Sequence, residues 1–270
     1  MTDVHISQPS PALPSVDERL TLPGREPGAL PPIAREAPPA AVAGEALRLG
    51  FLVGRARILR RSAAVSALLG AALVVVAGVI ERHAASAGAV DRALTATFNL
   101  VVPLVSFGLA AEVAERGNLR DGVWSAARYG VARRDVALGL IGASMTASAA
   151  LCAALAMLAV VVAHGEGNPR VAGDLLTSAW IAALAAAAYT GWFALGATFG
   201  RRGGGRWVPL IADFVMGASA GVAGAILPRG NVTSLLGGAA PLGLPQGTSS
   251  LILGASALVL GGVAALRCRE

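Results

Sequence analysis

The 270-residue sequence predicts an all-α membrane protein: six transmembrane helices, an amphipathic helix in the headgroup plane before the first, and a short cytoplasmic helix between spans two and three. Three observations carry the prediction. Hydrophobic residues make up 55% of the chain and charged residues only 14%, where an ordinary soluble domain carries roughly 25% charge. Six apolar runs are long enough, at about 1.5 Å per helical residue, to cross roughly 30 Å of hydrocarbon. The arginines then alternate in number from one connection to the next, as the spans of a multi-pass protein require.

The first 42 residues stand apart. Nine of the fifteen prolines fall in the first forty positions, mixed with Ser, Asp, Glu and Arg. Such a segment buries too little apolar area to offset its ordering entropy and reads as a disordered cytoplasmic tail. It lacks the basic stretch and apolar run of a secretory signal. From Ala40 to Arg61, Leu47, Leu49, Phe51, Leu52, Ile58 and Leu59 interleave with Arg48, Arg55, Arg57, Arg60 and Arg61. An apolar side beside an Arg-rich side suits a helix lying in the headgroup plane; a basic flank that orients the first span is the alternative.

The six runs lie near residues 62–80, 93–111, 136–163, 175–199, 207–227 and 249–266. The third is longer than a crossing needs, which predicts tilt or projection beyond the bilayer. Arg55, Arg57, Arg60 and Arg61 precede span one; Arg116, Arg120, Arg128, Arg133 and Arg134 join spans two and three; Arg201, Arg202 and Arg206 join four and five; Arg267 and Arg269 follow six. Only Arg82, Arg92, Arg170 and Arg229 fall on the other side, a ratio of fourteen to four. By the positive-inside rule both termini face the cytoplasm.

Several chemistries are excluded by composition. All 22 basic residues are Arg, the usage of a GC-rich bacterial genome, so the chain has neither a phosphate-loop lysine nor a Schiff-base lysine. Cys152, Cys268, His5, His83 and His164 are scattered and form no metal-ligand spacing. Gly217-Ala218-Ser219-Ala220-Gly221 matches G-x-S-x-G and invites comparison with a rhomboid-like intramembrane serine protease. No histidine follows His164 to serve as base, so Ser219 reads as a packing residue. Asn231-Val232-Thr233 matches a glycosylation acceptor that a bacterium leaves unused.

The segment between spans two and three is the most informative. Leu119, Val123, Trp124 and Ala127 recur on one side of a short helix bracketed by Gly117 and Gly130, while Arg120, Asp121 and Arg128 point elsewhere. Trp124 and Tyr129 then make either a docking knob for a soluble partner or an anchor in the lipid interface.

These residues resemble the type 2 ABC exporter permeases. Pro103 lies in span two, Glu112 and Glu115-Arg116-Gly117 match the family's turn, and Leu119 to Arg128 stand at its coupling helix. Tyr129 to Arg134 occupy the opening of span three, without the family's usual proline there, and Pro228 to Ser250 resemble its half-inserted extracellular hairpin. The resemblance spans residues 43–270. It implies half of a membrane pore with no catalytic residue and no cofactor of its own, paired with a second permease copy or paralogue. A separate ATPase subunit would supply ATP and Mg and push on the coupling helix. Glu112, Glu115, Arg116, Gly117, Leu119, Val123, Trp124 and Arg128 are the implied ATPase-coupling residues, with Leu119, Val123 and Trp124 as the contacts themselves.

Within the spans, Asp213 lies about 9 Å from the start of span five by helical rise, where an ionised carboxylate needs a partner. Pairing with Arg206 or Arg202, or lining a translocation path, are its two readings. Asn99 and Ser106 serve either helix packing or that path, and Gly217, Gly221 and Gly224 permit close helix approach. A secondary transporter is the rival function, for which paired intramembrane charges and two similar halves are expected.

Overall fold

The computed structural model describes residues 43–84, 88–128, 130–164 and 171–268; the expected disordered tail, 1–42, and Tyr129 lie outside them. The described chain is helical, with no strand. Five helices are long and apolar enough to cross a membrane: Ala63–Ala84, Ala89–Val113, Arg133–Ala163, Val171–Gly196 and Gln246–Arg267.

Helix α1, Ala43–Ile58, forms where the amphipathic pattern predicts it. Ala46, Gly50, Gly54 and Arg57 make one buried stripe, and the opposite side exposes Leu47, Leu49, Leu52, Arg48 and Arg55. The stripe lies on α6, Arg133–Ala163. A Cβ at Gly50 would collide with the Val136 carbonyl, one at Gly139 with the Leu47 carbonyl and the Phe51 nitrogen, and one at Gly54 would come within 2.8 Å of the Ala143 Cβ. Small residues four apart on both helices thus let the two backbones touch.

Helix α2, Arg61–Ala84, turns Leu68, Leu69, Leu73, Val76 and Ile80 outward and packs its Gly70 and Gly78 against Val105, Leu155 and Val162. The next crossing is built from α3, Ala89–Ala96, a π-helical turn, Thr97–Val101, and α4, Val102–Val113. Pro103 explains the widened turn. It lacks an N–H, and in a regular helix its ring would strike the carbonyl four residues back, at Asn99. A π-turn ending just before the proline removes that clash and carries Asn99 within it.

Helix α5, Leu119–Ala127, is the short helix expected between spans two and three. Helix α6 has 31 residues, about 46 Å by helical rise, so it exceeds one hydrocarbon thickness as the sequence predicts. Helix α7, Val171–Gly196, packs along it. Phe107 of α4 meets Phe193 of α7 edge-on at 5.3 Å and Trp207 at 4.5 Å, and Tyr189 stacks on Phe193 at 5.9 Å, forming an aromatic seam through the core.

The expected fifth span, 207–227, is not one helix. Helix α8, Trp207–Met216, stops at Gly217, and α9, Val222–Ile226, and α10, Pro228–Leu235, follow as short separate pieces. Ten residues of α8 reach about 15 Å, half a hydrocarbon thickness. Glycine causes the break: Cβ atoms at Gly224 and Gly230 would overlap the Ser219 and Gly224 carbonyls, so the chain folds back through contacts only glycine permits. A 3-10 turn, Pro241–Gly243, leads to α11, Gln246–Arg267.

Candidate functional site

The Arg-rich connections meet at one end of the bundle. Arg57, at the last turn of α1 and only 4% exposed, donates through Nη1 to the Val113 carbonyl at 2.7 Å. Its Nη2 reaches the Gly122 carbonyl at 2.9 Å and Ser125 Oγ at 2.9 Å, and its Nε lies 3.2 Å from Glu115 Oε1. One guanidinium therefore ties α1 to the end of α4 and to α5, using the forked donor geometry that lysine lacks. Burial pulls the Arg57 pKa below its usual value, Glu115 raises it and Arg60 lowers it.

From the other side, Arg206 donates through Nη2 to the Arg116 carbonyl at 2.8 Å. It comes from the 3-10 turn Arg201–Arg206 that follows α7. Asn118 Nδ2 donates to the Gly200 carbonyl at 3.2 Å, and the Leu119 N–H donates to the Ala197 carbonyl at 3.1 Å. Asn118 also caps α5, its Oδ1 accepting the Arg120 N–H at 2.9 Å. The Arg267 guanidinium lies 4.0 Å above the Phe199 ring, which brings the end of α11 to the same place.

Between these clamps the turn after α4 is strained. Glu115 and Arg116 take φ of 53° and 58°, consecutive left-handed residues without being glycine. Glu112 Oε1 accepts from Arg116 Nη2 at 2.8 Å, so Glu112, Glu115 and Arg116 stabilise the turn by ion pairs at its surface.

Helix α5 presents a different face from the one its spacing predicts. Leu119 and Val123 are buried, with Gly122, Ala126 and Ala127, against Val113, Val136 and Leu140. They seat the helix and are not available to a partner. Trp124, 53% exposed, points out beside Asp121 and Arg128, with the Arg133 guanidinium 4.6 Å above its ring. Leu119, Val123 and Ala127 share one buried stripe as their spacing predicts, but Trp124 does not belong to it, because Gly122 and Ala126 are buried in its place and turn it outward.

A second polar cluster lies where the fifth run breaks. Asp213 is 2% exposed and does not pair with Arg206 or Arg202, whose turn is engaged elsewhere. Its Oδ2 accepts from Tyr189 Oη at 2.8 Å and its Oδ1 from the Arg229 N–H at 3.1 Å. The Arg229 side chain donates through Nε to Asn99 Oδ1 at 3.0 Å and lies 5.4 Å over the Phe214 ring. Arg229, counted by sequence in an outer loop, instead reaches the π-turn of the second crossing. Ser106 Oγ sits 4.0 Å from Cys152 Sγ and serves helix packing. Ser219 Oγ accepts the Gly224 N–H at 3.1 Å, a structural role at the start of α9.

Arg57, Arg206, Tyr189 and Arg229 escape sequence reasoning, because an arginine in a basic run and a tyrosine in an apolar run carry no signature of a distant partner. Asn118 ahead of Leu119 was readable as a helix cap. Among the described residues no group of three His, Cys, Asp or Glu side chains is placed to hold a metal. No known protein family, curated protein or solved structure matches the chain.

Proposed function

We propose that the chain is the transmembrane permease subunit of a type 2 ABC exporter in a bacterial cytoplasmic membrane, with both termini in the cytoplasm. Two permeases, identical or paralogous, form the pathway, and a separate ATPase subunit binds ATP and Mg and docks on α5. The chain itself is not an enzyme.

The observation that carries this reading is the clamping of α5. It holds an exposed Trp124 outward while Arg57 links it to α1 and α4, and the Leu119 N–H links it to the end of α7. Force applied at Trp124 reaches three helices through hydrogen bonds. Nucleotide shifts the pathway only through contacts that differ between its two states, and Trp124, Asp121 and Arg128 carry those contacts. Leu119 and Val123 support the helix from behind.

Capture of the tagged chain from its host in mild detergent, with mass spectrometry and a vanadate-sensitive ATPase assay, tests the reading. A stoichiometric ATP-binding subunit is expected, and Trp124→Ala reduces its association at least tenfold while leaving membrane insertion intact. Wild-type association in that variant removes the docking role.

Asp213 beside Arg229 at a broken helix favours a second reading, a secondary transporter, since buried ionisable groups at discontinuous helices mark ion and substrate pathways. Transport that survives ATP depletion and stops on collapse of the proton gradient selects it over the exporter.

A further inference from the structure

Where α1 turns into α2, small side chains leave a groove open at the surface of the bundle. The first two turns of α2 carry alanine at 63, 64 and 67, and only then do Leu68 and Leu69 follow. Leu109 of α4 and Ala147 and Leu151 of α6 complete the walls, and the space they enclose with Ala64 and Ala67 is about 260 Å³. That is close to the lower end of small-molecule sites. One charged side chain, Arg60, lines the groove itself; it is 58% exposed, so an occupant can reach it.

Depth and charge specify the occupant. From Arg60 to Ala67 is about 10 Å by helical rise, roughly two-thirds of the about 15 Å that one leaflet contributes to the hydrocarbon. Arg60 thus stands at the headgroup level of the leaflet on the Arg-rich side, and the alanines lie at the level of its acyl chains. Arg60 has Glu115 Oε1 at 3.8 Å, but the same oxygen lies 3.2 Å from the buried Arg57, so two guanidiniums face one carboxylate and positive charge is left over at the mouth of the groove. An apolar slot beneath an exposed cation matches an acyl chain beneath an anionic headgroup. A second copy inserted in the same orientation would bring its own Arg-rich end to this depth, and like charges set against each other oppose that contact.

We propose that this groove holds one acyl chain of an anionic glycerophospholipid, with its phosphate at Arg60. The assignment holds for an exporter subunit and for a secondary transporter alike.

The full chain in phosphatidylcholine nanodiscs, exposed to a trace of phosphatidylglycerol bearing a diazirine on one acyl chain, tests it. Labelling is expected to concentrate within residues 58–67 and 147–151. Unlabelled phosphatidylglycerol should compete about fivefold better than phosphatidylcholine, the contribution of one arginine at an anionic surface. Arg60→Gln should abolish that preference, whereas Arg48→Gln, at an exposed arginine of α1 outside the groove, should keep it. Ala64→Phe, at an exposed position that tolerates bulk, fills the slot and should suppress the labelling with the chain still folded. Equal competition by phosphatidylcholine overturns the headgroup assignment, and so does an equal loss of preference in the Arg48 and Arg60 variants, which would reduce it to diffuse attraction by the whole basic end. Labelling confined to other segments, or unchanged in Ala64→Phe, overturns the groove. Labelling present at one copy per nanodisc and lost at two gives the groove to a second copy instead.

Discussion

The two polar clusters solve opposite problems. At the Arg-rich end, Arg57 and Arg206 spend their donors on the carbonyls of Val113, Arg116 and Gly122, which mark the end of α4, a strained turn and the body of α5. At the break in the fifth run, Asp213 and Arg229 are held mainly by neutral groups, Tyr189, a backbone N–H and Asn99. The first cluster fastens separate helices into one junction. The second keeps charge inside the bundle at a place where glycine has interrupted the helix, the more expensive arrangement and the one better suited to change.

Substitutions can break that contrast in order of size. Gly139→Leu forces a side chain into the backbone of α1 and should detach α1 from α6, a loss of about 3 kcal/mol or more read as the largest fall in thermal midpoint in detergent and as new protease cleavage near Gly50. Arg57→Ala leaves the Val113 carbonyl without its side-chain donor, takes one of the donors from the Gly122 carbonyl and removes the ion pair that the buried guanidinium makes to Glu115, about 2–3 kcal/mol; Arg57→Lys should recover only part of it. Asp213→Asn and Tyr189→Phe should each cost about 1–2 kcal/mol and together less than their sum, because they share one hydrogen bond. Arg57→Ala combined with Asp213→Asn should be additive, since the clusters have no common partner; strong coupling would show that the two regions act as one unit.

The smallest effect is chemical. Cys268, buried at the end of α11 within the junction, has its thiol pushed up to about 11 by burial, against a lowering by Arg120. A raised thiol pKa means that roughly one molecule in a thousand carries the thiolate at pH 8. Maleimide labelling at that pH should be slow in the folded chain and rise tenfold per pH unit toward 11, and Arg57→Ala should accelerate it by loosening the junction. Rapid labelling of the unsubstituted protein at pH 7 would mean that the junction opens on its own.

Much of this architecture is legible in the sequence because hydrophobicity and charge act locally. The apolar runs at 62–80, 93–111, 136–163, 175–199 and 249–266 each meet a long helix, displaced by a few residues at the ends. The short helix at Leu119 follows from its apolar repeat. The run at 207–227 fails because hydropathy averages over glycine: Gly217, Gly221 and Gly224 read as a packing stripe and act as a break. The partner of Asp213 fails for a related reason, since Arg206 is near in sequence and Arg229 is near only after the chain has folded back.

The sequence by itself determined an all-helical chain with helices of membrane-spanning length, that helices form at α1 and α5, and which connections carry the arginines. Each of these depends on the transfer free energy of a residue and its immediate neighbours. Tertiary structure alone decided that those arginines converge on the carbonyls around α5, that Trp124 rather than Leu119 or Val123 faces outward, and that Arg229 turns inward to Asn99. Those outcomes depend on which buried acceptors still lack a donor once the helices have packed, a quantity no single segment contains.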